Sequence, residues 1–485
     1  WDFGYLPGGS VLQRITLTLD SLDNMEHFRG HLYNWYDTRT LAPLSPRYVS
    51  SVDSGNMAGH LLTLREGLLA MRNQPILNVE RILAGLIDTL LLLEKHWGPG
   101  APDSLKELQK QCFSSAELPP GALYSELKKM RTQCKHLTAA SQQEGDLVVR
   151  WAEHLEHQLV ELCHEWSHLL AWIPPTYQSE TLPTLSWLAQ STDTGEGTPP
   201  APVITHARLR LDIISELEKR LNDHARMDFA FLYSEATSLL SVGYNCDTNT
   251  ADKSHYDLLP SEIRLTSYLA IATNQLPMKS WYALGRLFTN IDNETALMSW
   301  SGSMFEYLMP NLVMPNWRGS LLDEMGKSAV TRQINWGKER GVPWGVSESG
   351  YHAFDVQSNY QYQAFGVPGL GLRRGLADDM VVAPYATLLA LLVSPQKACE
   401  NLLRLEQSGA HGEYGFYEAL DYTPSRLATG QLYAVVQSWM AHHQGMGFQA
   451  LAHILLDAPM SERFMTSPTF MSANLLLQER VPDSV

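Results

Sequence analysis

The chain has 485 residues, with 52 acidic against 36 basic side chains and a formal net charge of −16. That balance argues against a nucleic-acid scaffold, because phosphate binding leans on a face rich in Lys and Arg. At 44% hydrophobic and 18% charged, with 13 Trp, 20 Tyr and 13 Phe, the chain buries one large core or two moderate ones and is neither disordered nor fibrous. Its five cysteines are odd in number and widely spaced, with no CxxC pair, which favours reduced, mostly buried thiols over a zinc site or a disulfide framework. The first residues, Trp1-Asp2-Phe3-Gly4-Tyr5, carry no initiator Met and no signal-peptide pattern, as expected of a piece excised from something longer. The most apolar run, Ile82 to Leu93, contains Asp88 and is too short for a bilayer that demands about 20 apolar residues.

In chain order, apolar residues near helical spacing predict a helix within Ser10 to Tyr36, breaking at Asp37-Thr38-Arg39. Further helices are predicted over Met57 to Met71, Asn78 to Trp97, Ser104 to Gln111, Leu123 to Leu137 and Gly145 to Trp172. Gln190 to Pro202 is the one low-complexity stretch and reads as a loop. Next come a helix over Ala207 to Asn222, an alternating stretch from Phe229 to Tyr244, and a helix opened by Pro260-Ser261-Glu262. Leu297 to Tyr307 reads as strand, and Gly319 to Arg340, Asp379 to Val393, Ser394 to Gln407 and Tyr433 to Leu456 read as helices. Long helices, short strands and no βαβ rhythm predict an all-α (α/α)6 toroid with short β-hairpins in its loops. The expected domain organisation is one catalytic unit over 1–485, with extra helices and a flexible loop in 100–202.

Four loops concentrate carboxylates, amides and aromatic rings. The first, Tyr33-Asn34-Trp35-Tyr36-Asp37-Thr38-Arg39, offers Tyr33, Trp35, Tyr36, Asp37 and Arg39, and the second, Ser50 to Asn56, offers Asp53 and Asn56. The third begins at Trp344 and runs through Glu348, Tyr351, His352 and Gln357 to Tyr360. The fourth, Gly412 to Tyr422, offers Glu413, Tyr414, Phe416, Tyr417 and Glu418. Such surfaces suit sugars, whose apolar faces stack on rings while their hydroxyls bond to carboxylates, amides and guanidinium groups.

Cleaving or exchanging a glycosidic bond takes two carboxyl groups, one to protonate the leaving oxygen and one to attack or to activate the attacking group. Glu348, between Ser347 and Ser349 in a glycine-flanked loop, fits a cleft carboxylate held ionised by hydroxyls and amides. Glu262 reads in two ways from local sequence: as a reacting carboxyl, or as a first-turn carboxylate behind an N-cap Ser261, and local sequence favours the cap. His442-His443 does not predict a metal site, since adjacent helix positions point about 100° apart. The pair predicts one buried, hydrogen-bonding imidazole and one, His442, facing the cleft. Glu413, Glu418 and Asp421 read as binding carboxylates. No cofactor and no metal is required.

The runs Gly30 to Thr38, Tyr48 to Asn56, Trp344 to Ser349 and Tyr414 to Ala419 resemble the glucoamylase-like central region of bacterial cyclic β-1,2-glucan synthases, placed in glycoside hydrolase family 189. The resemblance spans nearly the whole chain. It implies an (α/α)6 toroid and an anomer-retaining transglycosylation that cyclises linear β-1,2-glucan. Glu348 then corresponds to the nucleophile and Glu262, in Pro-Ser-Glu-Ile-Arg-Leu, to the general acid/base, which reverses the local preference for a cap. It implies linear and cyclic β-1,2-glucan as partners, and a parent protein in the bacterial inner membrane carrying glycosyltransferase and phosphorylase-like parts, with this region facing the cytoplasm. The ending Leu476 to Pro482 is similar to the join into the phosphorylase-like part. Rival readings are an inverting endo-β-1,2-glucanase, an α-glucan hydrolase and a glycan-holding module without turnover.

Overall fold

The computed structural model describes residues 1–177, 179, 181–195, 197–291 and 294–480. The chain divides into two compact units, one formed by 1–24 and 67–222, the other by 25–66 and 223–485. Among the described residues it is mostly helical, and its strands pair only into two- and three-stranded antiparallel pieces.

The first unit is built from amphipathic helices. Asn78 caps Val79–Trp97 by accepting the Arg81 N–H, Lys95 and His96 sit in the last turn, and Gly98 at φ 73° ends the helix. Its buried stripe of Leu83, Leu86, Leu90 and Leu93 packs beside Asp146–Leu169, whose own stripe includes Leu155, Leu159 and Leu162. Asp103–Ser115 and Leu123–Ser141 complete this cluster. Cys112 and Cys134 lie within it as free thiols, and burial pushes both up to about 12. Cys399, in the second unit, is exposed, against the expectation for that one cysteine.

The second unit centres on Ile263–Ala272, a helix buried at every position. Such a helix has no solvent-exposed face and must be surrounded by protein on every side; Tyr268 meets Trp281, Phe464 and Phe470. Gly55, on Ser51–Met71, lies so close to this helix that an added Cβ would overlap the Thr266 side chain. The contact sets the next residue, Asn56, beside the helix start. Leu321–Arg340 is capped by Ser320 at one end and by left-handed Gly341 at the other.

Several expected boundaries shift. The helix within Ser10 to Tyr36 stops at Asp23, and a hairpin of His27–Phe28 with His31–Leu32 follows, turned by Arg29 and Gly30 at positive φ. Leu297 to Tyr307 is strand only in Glu294–Leu297; Ser303 and Glu306 then form a capping box that starts the helix Met304–Leu308. The helix expected over Asp379 to Val393 shortens to Pro384–Leu389 and a 3-10 turn, after the strand Val381–Val382. Tyr433 to Leu456 splits into the strand Ala434–Val436 and the helix Ala441–Leu455. The described part of the Gln190 to Pro202 stretch is helix to Gln190, irregular through Pro200 and helix again from Ala201; its Glu196 lies outside the described residues, as do Val481 and Pro482 of the expected join. No helix among the described residues is long and apolar enough to cross a membrane.

Candidate active site

A cavity of about 840 Å³ opens in the second unit, a size that suits several sugar rings. Asn34, Trp35, Asp53, Asn56 and His60 form one wall; Phe305, Met309, Glu348, Tyr362, His442, Met446 and Gln449 contribute to the rest. Its lining mixes the polar groups of Asn34, Asp53, Asn56, His60, Glu348, Tyr362, His442 and Gln449 with the apolar side chains of Trp35, Met57, Phe305, Met309, Met440 and Met446.

Glu262 stands at the start of Ile263–Ala272 but does not cap it: the carboxylate makes no capping bond, and Asn56 Nδ2 donates to its Oε2 at 3.3 Å. Ser261 Oγ accepts the Ile263 N–H at 3.4 Å, as expected of a serine opening the helix, while the Glu262 side chain meets Asn56, a residue of the cavity lining. Arg264 anchors the turn. Fully buried, its guanidinium donates to the carbonyls of Ser261 (3.2 Å), Glu306 (2.7 Å) and Tyr307 (2.5 Å) and to Asn311 Oδ1 (3.2 Å). With no carboxylate to pair it, burial lowers Arg264 to about 9. Burial also pushes the Glu262 carboxyl well above the usual range, and the negative charges of Glu348, Asp53 and Glu306 add to the effect.

Glu348 is mounted differently. Its loop is held from Leu321–Arg340, where Gln333 accepts the Val346 N–H at 2.7 Å and returns a bond to the Val346 carbonyl at 2.8 Å. Asn401 does the same for Trp344, at 3.1 and 2.7 Å. Gly345, at φ 114°, faces Thr387 at a spot where a Cβ would clash. Ser347 Oγ accepts from the Phe305 N–H (3.1 Å) and from Tyr385 (2.8 Å), whose hydroxyl also reaches the Glu348 carbonyl. The carboxylate itself accepts from the Tyr362 hydroxyl at 2.8 Å. Burial raises Glu348, but the Tyr362 hydroxyl and the nearby His443 oppose it.

The hairpin Ser349–Phe354 with Tyr360–Gln363 pairs Tyr362 opposite Gly350, whose N–H donates to Glu418 Oε1 at 2.9 Å. Glu418 Oε2 accepts from His443 Nδ1 at 3.0 Å, and His443 Nε2 lies 3.3 Å from the Tyr362 oxygen. His443 is stacked flat on Tyr385, ring centroids 3.7 Å apart.

Of the residues expected to bind substrate, the structure brings Trp35, Asp53, Asn56 and His442 onto the cavity wall with Glu348. Asp53 accepts from Asn34 Nδ2 and is raised by its surroundings; His442 is lowered to about 4 by burial and by its neighbour His443. The remainder lie elsewhere. Trp344 is core, its backbone clamped by Asn401. Tyr33 and Tyr36 bond Glu26, through its carboxylate and its carbonyl respectively, and Asp37 caps its own turn through the Arg39 and Thr40 amides, with Arg39 exposed beside it. Tyr351 carries Arg426 on its ring face, His352 donates its amide to Asp421, Gln357 sits in the hairpin turn, and Tyr360 packs on Phe354. Tyr414 and Tyr417 flank Trp439, Phe416 meets His411, and Glu413 lies in the turn between them. Glu418 is buried behind Glu348 rather than exposed to a ligand.

Tyr362, Tyr385, Gln333 and Glu306 were not singled out by sequence. For Tyr362 a signal existed: strand alternation places it on the face of Tyr360. His443 is the buried, hydrogen-bonding imidazole expected of the pair. The rings of His442 and His443 nevertheless lie 4.0 Å apart, closer than their helical offset implies, and nitrogen atoms of both fall within 4.8 Å of each other and of a Glu348 oxygen. Those three donors fit a divalent cation by type, yet His443 Nδ1 is engaged by Glu418 and its Nε2 faces Tyr362.

Residues 254–467 match the glycoamylase family. Over all 485 residues the chain is 38% identical to the cyclic β-(1,2)-glucan synthase NdvB of Rhizobium meliloti (strain 1021), and it spans 17% of that protein's length. Among solved structures, a glucoamylase-like protein of Bacteroides caccae ATCC 43185 is 14% identical with a TM-score of 0.45, covering 97% of this chain and 98% of that one. The endo-β-1,2-glucanase of Chitinophaga pinensis, solved with sophorotriose and glucose, is 14% identical with a TM-score of 0.45, covering 96% and 98%. The segment that matches the glycoamylase model, 254–467, holds Glu262, Glu348, Tyr362, Glu418 and His443, and along its whole length the chain is similar to a part of that cyclic β-(1,2)-glucan synthase.

Proposed function

We propose that this chain is an anomer-retaining transglycosylase that closes linear β-1,2-glucan into rings, working within a helical (α/α)6 scaffold. The observation that carries the reading is the electrostatic coupling of Glu262, which accepts from the cavity residue Asn56, to Glu348 on the cavity lining, with Glu262 raised well above the usual carboxylate range and the rise of Glu348 opposed by the Tyr362 hydroxyl and His443. Two carboxyls pushed apart in this way divide into an acid and a base or nucleophile. Glu262, raised by burial and by its partner's charge, keeps the proton; Glu348, receiving the Tyr362 hydroxyl, is the carboxylate.

In the first step Glu348 attacks the anomeric carbon while Glu262 protonates the departing 2-oxygen, leaving the glucan joined to Glu348 as an ester. Glu262, now ionised, takes the proton from the 2-hydroxyl at the non-reducing end of the same chain, and that oxygen displaces Glu348. Donor and acceptor are one molecule, so closure gains from the high effective concentration of the chain's own end. Trp35, Phe305, Met309 and Met446 give the cavity apolar walls that disfavour water at the ester. The similarity to the cyclic β-(1,2)-glucan synthase supports β-1,2-glucan as substrate.

The test is incubation of the chain with linear β-1,2-glucan followed by mass analysis. Products one water lighter than linear chains support the proposal. Linear fragments of inverted anomeric configuration make the chain a glucanase, turnover of starch instead makes it an α-glucan hydrolase, and binding without turnover makes it a glycan-holding module.

A further inference from the structure

Glu348 is the end of a chain of hydrogen bonds that runs inward from the cavity. Tyr362 has a single hydroxyl proton, and it is directed at Glu348 Oε1, 2.8 Å away. The Tyr362 oxygen is left to accept, and the polar atom facing it is His443 Nε2 at 3.3 Å. His443 Nδ1 lies 3.0 Å from Glu418 Oε2, which leaves Nε2 as the ring atom that meets the Tyr362 oxygen. Glu418 is buried, its other oxygen fixed by the Gly350 N–H, so the inner end of the chain is held in place.

We infer that Glu418, His443 and Tyr362 act as a positioning relay for Glu348, in which the buried carboxylate orients the imidazole, the imidazole polarises the phenol, and the phenol holds Glu348 ionised in one rotamer. A linked series of donors strengthens each bond through the one behind it. The inference deepens the nucleophile reading of Glu348 and rests on it. The other titratable groups around Glu348 are Tyr385 from Pro384–Leu389, His442, Glu262, Asp53 and Glu306; His443 is faced by Glu418, Tyr362, Tyr385 and its neighbour His442. Three of the neighbours of Glu348 are carboxyl groups, and the Tyr362 hydroxyl and His443 are what oppose the rise of its own carboxyl.

The relay is tested by the ionisation of Glu348 read directly, as the pH titration of its ¹³C-labelled carboxyl in the whole chain without substrate, alongside the acidic limb of kcat/KM on linear β-1,2-glucan. Tyr362→Phe removes one hydroxyl from the cavity wall, and both midpoints should rise by about 1 pH unit with a loss in kcat of about tenfold to a hundredfold, while KM changes little. Glu418→Gln keeps an acceptor for the Gly350 amide and should raise both midpoints by a smaller amount. In the Tyr362→Phe background that second shift should fall to about half or less, because coupling through the phenol is gone. An equal Glu418→Gln shift in both backgrounds, or Tyr362→Phe with an unmoved carboxyl titration, overturns the relay. If Glu418→Gln fails to fold, Tyr362→Phe alone decides. Absence of turnover in the unaltered chain counts against the transglycosylase reading, whereas the carboxyl titration still decides the relay.

Discussion

Glu262 and Glu348 are the same side chain on opposite kinds of support. Glu262 rises from the start of a helix with no exposed residue, and its turn is pinned by Arg264 to three main-chain carbonyls. Glu348 hangs on an irregular loop whose amides and carbonyls are bracketed by Gln333 and Asn401, and its carboxylate takes a phenolic proton. Burial raises both carboxyls, but the Glu262 support supplies little hydrogen bonding to the anion and lets it rise well above the usual range, whereas at Glu348 the Tyr362 hydroxyl and His443 oppose the rise. Acid or base character here follows from mounting rather than from residue type.

Several measurements would break or sharpen that contrast. The largest effect is expected from Glu348→Gln, which removes the nucleophile and should lower the rate of ring formation by about 10⁴-fold or more. Glu262→Gln should cost about 10²- to 10⁴-fold in the same assay; equal losses in both with no trapped ester would weaken the division of roles. Arg264→Met strands the carbonyls that the guanidinium serves and should lower the urea midpoint by the equivalent of about 3 kcal/mol, while Asn401→Ala, under the other glutamate, should cost about 1–2 kcal/mol.

The sign of the pH dependence is set by the raised Glu262. Folded and unfolded forms both hold its proton below the unfolded carboxyl value, and as pH rises toward the folded value the unfolded chain releases the proton first, so stability declines across that interval. Glu262→Gln removes the penalty and should melt higher than the unaltered chain at pH 7, by roughly 1 kcal/mol. In catalysis the same group gives kcat/KM an alkaline limb above the ordinary carboxylate range. The smallest expected effect is that of a chelator: with His443 engaged by Glu418 and facing Tyr362, turnover in excess EDTA should equal turnover without it.

Much of the site's chemistry was legible because it is written locally. Serines around Glu348, the sequence Pro260-Ser261-Glu262, the Asp53 and Asn56 spacing and the paired histidines are each visible within a few residues, and Trp35, Asp53, Asn56, Glu348 and His442 line one cavity. Helix positions in the first unit were equally legible, since a stripe of leucines repeats at helical period. Less legible were the packing partners of the aromatic residues: Trp344 is buried, Tyr351 carries Arg426 and Tyr417 meets Trp439, and neither burial nor ring partners can be read from composition.

The sequence by itself determined where most long helices lie, which loops are rich in sugar-binding groups, and that Glu348 stands in a serine- and glycine-flanked loop, because periodicity, capping and turn chemistry act over a handful of residues; Glu262 was singled out by the family resemblance. Only the tertiary structure decided that Glu262 turns away from its helix to meet Asn56, that Tyr362 rather than Tyr360 reaches Glu348, and that Glu418 stands behind His443. Those outcomes depend on hydrogen bonds between residues far apart in the chain and on the dielectric each carboxyl finds when the core closes around it, and neither is encoded in any one stretch of sequence.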